Sequence, residues 1–373
     1  MLTKLVVKNV RSIKKADISF EKSGIGYKNN YIYRQNYVNP VTVYGDNGSG
    51  KSLLFLTLEY LVALMCHDTN VLESIDLFPD LVLFEKRNNG EKVDIKKPII
   101  EYSFLTKDNT KFTYVLGAVA STIITDEELI IDGKRILKRK DNKCFVEKEE
   151  FEVPKNYSAV RKIGIEDYAK DNNVMLLIKK CYEAMKKIVF VDDDDNILGQ
   201  KIMSISVQDS LLKKSVSEYI SNFSGLPNFN MVEKELDSGK RTIYMDFGDG
   251  RKLPFGLASR GVQREGKILS ALNMCCDEED CTVVIDEINR SIHPINLKRM
   301  VDEFINRNVQ LIFSCHDTNL LRFLRPDQIY FAYFGKDLHS TFKRLNEIHP
   351  NIREINNIES MYLKGVFDEE IAE

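Results

Sequence analysis

The stretch "VTVYGDNGSGKSLLF", residues 41–55, constrains this chain more than any other. Its β-branched and aromatic start reads as a strand. Gly45, Asp46, Asn47, Gly48, Ser49, Gly50, Lys51 and Ser52 then match GxxxxGK[ST] in full. "SLLFLTLEYLVALMCHD" follows as a largely apolar, buried helix. Strand, glycine loop and helix in that order predict a phosphate-binding loop. Glycines tolerate the dihedrals that let the backbone N–H groups of Asn47, Gly48, Ser49 and Gly50 wrap a β-phosphate. The helix aims its positive end at the anion. Lys51 is expected to reach the β- and γ-phosphates, and Ser52 to set its hydroxyl on Mg²⁺.

Such a loop needs partners at the ends of neighbouring strands. "TVVIDEIN", residues 282–289, is a buried strand ending in two acids. Asp286 is expected to hold Mg²⁺ through water, and Glu287 to act as base for an attacking water. Two carboxylates at such a tip favour hydrolysis over kinase chemistry. "QLIFSCHDTNLL" places His316 at the tip of another strand, as a γ-phosphate sensor or as a structural histidine. In "LASRGVQREGKIL", Ser259 and Gly261 precede a helix whose N-terminus can take an anion, or which is simply capped by Ser259.

The rest of the chain reads as two kinds of layer. "KLVVKNV" and "KKADISF" form a strand pair. Residues 98–156 read as a β-rich lobe of successive strands separated by polar turns, and 157–230 as a mostly helical subdomain. Residues 1–97 and 231–373 supply the two halves of the core, the second by alternating buried strands and helices that imply a parallel sheet. The expected class is therefore α/β, a P-loop head with a β-rich lobe and an inserted helical subdomain.

Composition adds limits. Net charge is −3, so any nucleic-acid surface has to be local. The basic stretch 133–143 is a candidate for one, or a solvated β-turn. No apolar run approaches the roughly 20 residues that span a bilayer, and the N-terminus lacks a signal-peptide layout; the expected compartment is the cytoplasm. Seven scattered cysteines without CxxC spacing read as reduced, buried thiols. The acidic run 192–195 reads as a solvated loop.

The ordered set "GDNGSGKS", "LASRGVQ", "VVIDEIN" and "FSCHD" resembles the ABC-type ATPase heads of the SMC and RecF group. Within it the chain is most similar to compact, OLD-related ATPases of bacterial antiphage defence and abortive infection, the type found with anticodon-nuclease and restriction loci. "IDEINRSIHP", "SCHDTNLL" and "ESMYLKG" carry that closer likeness. The resemblance implies ATP and Mg²⁺ as cofactors and two heads that sandwich nucleotide. Ser259 and Gly261 of one subunit then meet the γ-phosphate held by Lys51 of the other. Arg11, in "NVRSIKK", resembles an early arginine that these ATPases place near the nucleotide.

"ASRGVQ" departs from the usual "LSGGQ", with Arg260 in place of a glycine and Val262 in place of the glutamine, and no Q-loop glutamine is placed; hydrolysis is expected to be slow or partner-dependent. No heptad run fills the roughly two hundred residues between Lys51 and Ser259, so a long coiled-coil arm is not expected. The stretch after His316 is too short for an OLD-type nuclease domain, so an effector, nuclease or Toprim-like, is expected on a separate chain. Three functions remain open: a defence sensor subunit, a nucleic-acid-binding ATPase of repair or recombination, and an assembly scaffold that binds ATP without turning it over.

Overall fold

The computed structural model describes residues 1–22, 33–34, 37–66, 69–75, 77–78, 96–166, 172–191, 210–224, 226–235, 241–276, 280–353 and 355–367. The acidic run 192–195 lies outside them.

The N-terminal region holds β1 (Leu2–Val10), β2 (Ile13–Ser19), the short β3 (Tyr33–Arg34) and β4 (Tyr37–Val38), then β5 (Val41–Gly45), α1 (Lys51–Cys66) and α2 (Thr69–Ser74). Six strands follow: β6 (Ile99–Leu105), β7 (Lys111–Ala120), β8 (Ile123–Ile131), β9 (Lys134–Lys140), β10 (Lys143–Val146) and β11 (Glu149–Glu152). Next come α3 (Ala159–Ile165), α4 (Asn173–Lys186), β12 (Ile188–Val191) and α5 (Ser210–Ser224). After these are β13 (Asn230–Glu235), β14 (Arg241–Asp246), β15 (Lys252–Pro254), α6 (Arg260–Cys276), β16 (Thr282–Ile285), α7 (Pro294–Asn306) and β17 (Gln310–Ser314). The chain continues through β18 (Ile329–Phe334), β19 (Ser340–Arg344), α8 (Leu345–Ile348) and α9 (Ile358–Leu363).

The α/β class expected from the sequence is what forms. A six-stranded sheet, ordered β12-β16-β17-β5-β18-β19, is parallel apart from the antiparallel edge strand β19. Its strands are buried on both faces, as parallel strands must be. Val284, Ile312 and Ala332 point into a core shared with the lobe and α1. Val283, Ile285, Leu311, Phe313 and Phe331 point into a second core with α6 and α7. The apolar α1 fits this place, because residues 60–65 are all buried and leave no polar face for water.

The lobe is an eight-stranded antiparallel sheet, ordered β11-β10-β9-β8-β7-β6-β1-β2, so the N-terminal strand pair joins it. Several polar residues fasten the two sheets, among them Tyr330, whose hydroxyl donates to Ser19 O at 2.8 Å. Gln310, at the start of β17, donates to Leu2 O at 2.7 Å and accepts from Leu2 N at 3.1 Å. Inside the lobe, Arg139 and Glu127 are fully buried and paired at 2.6 Å. Arg139 also donates to the carbonyls of Asp141, Tyr157 and Pro154, while Tyr114, Ser158 and the Ala159 amide donate to Glu127. A buried charge persists only when so fully matched.

The structure corrects three local expectations. The mostly helical reading of residues 157–230 is interrupted: α4 stops at Lys186 and residues 188–191, in "KKIVF", become β12, pairing with β16. Tertiary pairing overrides the helical period there. The basic stretch 133–143 is not a turn; most of it is β9, whose Ile136, Leu137 and Arg139 point inward. Cys275 and Cys281, expected to be free thiols, are joined in a disulfide between the end of α6 and the start of β16.

Candidate functional site

The loop between β5 and α1 has the backbone its glycines allow. Gly45, Gly48 and Gly50 have φ of 145°, 81° and 96°. A Cβ on Gly45 would lie 2.1 Å from Ala332 O, and one on Gly50 2.3 Å from Ser340 Oγ. Strands from the far end of the chain thus press on the loop and leave no room for a side chain at these two positions. Ser49 is buried, while Asn47, Gly48 and Ser52 are exposed. Lys51 folds back into the loop, its Nζ donating to Gly45 O at 2.6 Å and Asp46 O at 2.9 Å. Burial lowers the pKa of Lys51, and the negative charges of Asp286, Asp46 and Glu287 oppose that shift.

Asp286 and Glu287 directly follow β16, with β17 between it and β5. Ser314, the last residue of β17, ties them together. Its hydroxyl donates to Asp286 Oδ1 and accepts from the Glu287 amide at 2.7 Å. Arg264, on α6, donates to Asp286 O at 2.8 Å. Glu287 has a φ of 49°, a left-handed conformation that costs a residue with a Cβ about 1–3 kcal/mol and clusters at functional sites.

His316 follows β17. Its Nε2 lies 3.7 Å from Glu287 Oε1, and its backbone N–H donates to Asn289 Oδ1 at 3.0 Å. Burial first, and then the positive charge of Lys51, push the imidazole below its ordinary pKa; Glu287, Asp286 and Asp46 pull the other way. The net shift favours the neutral ring. Lys51, Asp286, Glu287 and His316 share one electrostatic neighbourhood.

Arg11 lies in the exposed β1–β2 turn, with a φ of 47°. Its neighbour Ser12 meets Ser340 twice: the hydroxyls are 2.8 Å apart, and Ser340 N donates to Ser12 O at 2.8 Å. A Cβ on Gly50 would come 3.7 Å from Ser12 Oγ, so the Arg11 turn sits beside the last glycine of the loop.

Ser259 and Gly261 lie at the start of α6. Ser259 Oγ accepts from Val262 N at 3.4 Å. Gln263 holds that turn by donating to Gly256 O at 3.0 Å and Ala258 O at 2.7 Å. A Cβ on Gly261 would lie 2.7 Å from Ser291 O, which fixes the turn against the loop that follows the acidic strand. Among the described residues, no hydrogen bond within the chain joins Ser259 or Gly261 to residues 45–52.

Sequence reasoning missed Ser314, Asn289, Arg264 and the Ser12–Ser340 pair. Ser314 carried a readable signal, a hydroxyl ending an otherwise apolar run in "QLIFS". Ser340 carried none, because its role depends on a contact with residues more than three hundred positions earlier.

The outward charges of β9 face carboxylates across the sheet, of which Asp126 pairs with Lys97. Lys138 opposes Glu128, and Lys140 opposes Asp126. Lys143 pairs with Glu150 at 2.8 Å, and Arg135 with Glu128 at 3.2 Å. Among the described residues no group of three or more His, Cys, Asp or Glu side chains could hold a metal ion, and no helix is long and apolar enough to cross a membrane.

No family model and no curated protein matches the chain. Similar solved structures include SMC heads. One from Thermotoga maritima is 13% identical, with 92% of this chain and 98% of that one covered and a TM-score of 0.47. One bound to the C-terminal winged-helix domain of ScpA is 14% identical, with 93% and 99% covered and a TM-score of 0.49. One with an extended coiled coil, bound to the C-terminal domain of ScpA and derived from Pyrococcus furiosus, is 12% identical, with 98% and 99% covered and a TM-score of 0.47.

Proposed function

We propose that this chain is an ABC-type ATPase that binds ATP with Mg²⁺, hydrolyses it slowly, and closes as a pair of copies around the nucleotide. The observation that carries this reading is the Ser314 hydroxyl, which couples Asp286 to the backbone of Glu287 beside the loop of Lys51.

The residues present fit both groups. The positive-φ glycines shape a backbone cradle, and the exposed Ser52 lies at the start of α1. Asn47, Gly48, Ser49 and Gly50 would hold phosphate through their amides, with Lys51 as the cation. Ser52 and Asp286 would hold Mg²⁺, which keeps several waters and takes few protein ligands. When bound, Mg²⁺ supplies charge neutralisation at the phosphates. Glu287 is the base that takes a proton from water, and neutral His316 donates a hydrogen bond toward the γ-phosphate. Ser259 and Gly261, not hydrogen-bonded to the loop in their own chain, act on the nucleotide of a second copy. Arg11 serves the nucleotide from the β1–β2 turn.

The biological role we propose is that of a sensor or regulatory subunit of an antiphage system, acting in the cytoplasm on a separately encoded effector. The motif set supports it. The alternative, a nucleic-acid-binding ATPase of repair, would use the exposed Lys138 and Lys140 of β9, which stand opposite Glu128 and Asp126.

Phosphate release from ATP by the wild type, set against Glu287→Gln, tests hydrolysis. Light scattering tests pairing: with saturating ATP and Mg²⁺, Glu287→Gln is expected to double its mass. A variant that binds ATP and stays monomeric sinks the shared-site reading.

A further inference from the structure

The site described so far grips phosphates and says nothing of the nucleoside. The hairpin between β18 and β19 supplies that part. β18 runs parallel to β5, with Ala332 opposite Gly45, and so continues past the start of the loop. The hairpin closes with Gly335 N donating to His339 O at 2.8 Å and His339 N donating to Asp337 Oδ1 at 3.2 Å.

Phe334 and Ser340 are directly opposed across this pair. Opposed residues project to the same face, with Cα atoms about 4.5–5.5 Å apart. The face is fixed by Ser340, whose side chain meets both Ser12 and the Cβ position of Gly50. Ala332, two residues before Phe334, points into the core on that same face. Phe334 is thus on the side of the loop and the Arg11 turn, and it is 49% exposed.

An aromatic ring left half in water, beside a phosphate cradle and on a closed hairpin, is what base stacking requires. We propose that Phe334 is the stacking platform for the nucleobase of the nucleoside triphosphate held by residues 45–52. The Ser12–Ser340 contact sets the spacing between platform and loop. The proposal rests on the phosphate-loop reading and adds to it the discrimination of a nucleotide from a bare polyphosphate.

The chain contains no tryptophan, so Phe334→Trp gives a single fluorescent reporter at the platform. Its emission is expected to be quenched by ATP and left unchanged by inorganic tripolyphosphate. Phe334→Ala is expected to bind ATP about tenfold more weakly while binding tripolyphosphate as the wild type does. Lys51→Ala is expected to lose both ligands. The platform is overturned if Phe334→Ala weakens both ligands equally or neither, or if Phe334→Trp is silent at saturating ATP. Wild-type protein that binds neither ligand instead removes the phosphate-loop reading, and the platform with it.

Discussion

Ser314 joins Asp286 to Glu287: one hydroxyl donates to the carboxylate and accepts from the next residue's amide, at 2.7 Å for the latter. A single atom therefore sets the place of a proposed metal ligand and the backbone of a proposed base. Ser314→Ala leaves a donor and an acceptor unmatched, a loss of about 1–3 kcal/mol. Hydrolysis is expected to fall at least about tenfold while nucleotide affinity stays within about twofold, since the loop itself is untouched. Single-turnover hydrolysis and a nucleotide titration check this; equal loss of both assigns Ser314 to the loop's integrity instead.

Gly50 and Gly48 separate conformational strain from crowding. Both have positive φ, but a Cβ on Gly48 meets nothing within 4 Å, whereas one on Gly50 lies 2.3 Å from Ser340 Oγ. Gly48→Ala is expected to cost about 1 kcal/mol from backbone conformation alone. Gly50→Ala is expected to cost more, about 2–4 kcal/mol, and to shift the β18–β19 hairpin. Denaturant melts of the two variants decide it, and equal losses contradict the contact.

Arg139 and Glu127 test the interior of the lobe. Arg139→Met leaves a buried carboxylate without its cation and is expected to cost about 3–5 kcal/mol. Adding Glu127→Gln should recover a large part of that loss, because the charge that needed matching is gone. A double variant no more stable than Arg139→Met would show that the carbonyl contacts of Arg139, rather than the ion pair, hold the lobe.

His316 makes a prediction about pH. Its folded pKa lies below the ordinary 6.5, so below 6.5 the unfolded chain binds the proton more readily than the folded one. Its contribution to stability is complete above 6.5 and is lost as pH falls through the folded value. The difference in Tm between wild type and His316→Gln should therefore move in favour of the variant between about pH 7.5 and pH 5.5. A difference that stays constant over that range contradicts a neutral, partly buried ring.

Much of the candidate site was legible because its residues are carried by short runs. Residues 45–52, the acids after "TVVI" and the histidine after "LIFSC" announce themselves by what ends each buried strand. The position of β12 was not legible, because "KKIVF" continues a helical period and turns into a strand only through pairing with β16. The inward face of β9 was hidden for a related reason. Its one buried cation, Arg139, looks in sequence like its exposed neighbours Lys138 and Lys140, and only the carboxylate of Glu127 tells it apart.

The flanks of β5 have a consequence for how the protein is made. The strand that launches the phosphate loop has β17 on one side and β18 on the other, both from the last quarter of the chain. Gly45 and Gly50 are shaped against Ala332 and Ser340, so the loop has nothing to rest on until those residues exist. Such distant pairing is slow to form. During synthesis the proposed phosphate pocket is therefore expected to be a late event, with nucleotide binding arising only after Ala332 and Ser340 have been made.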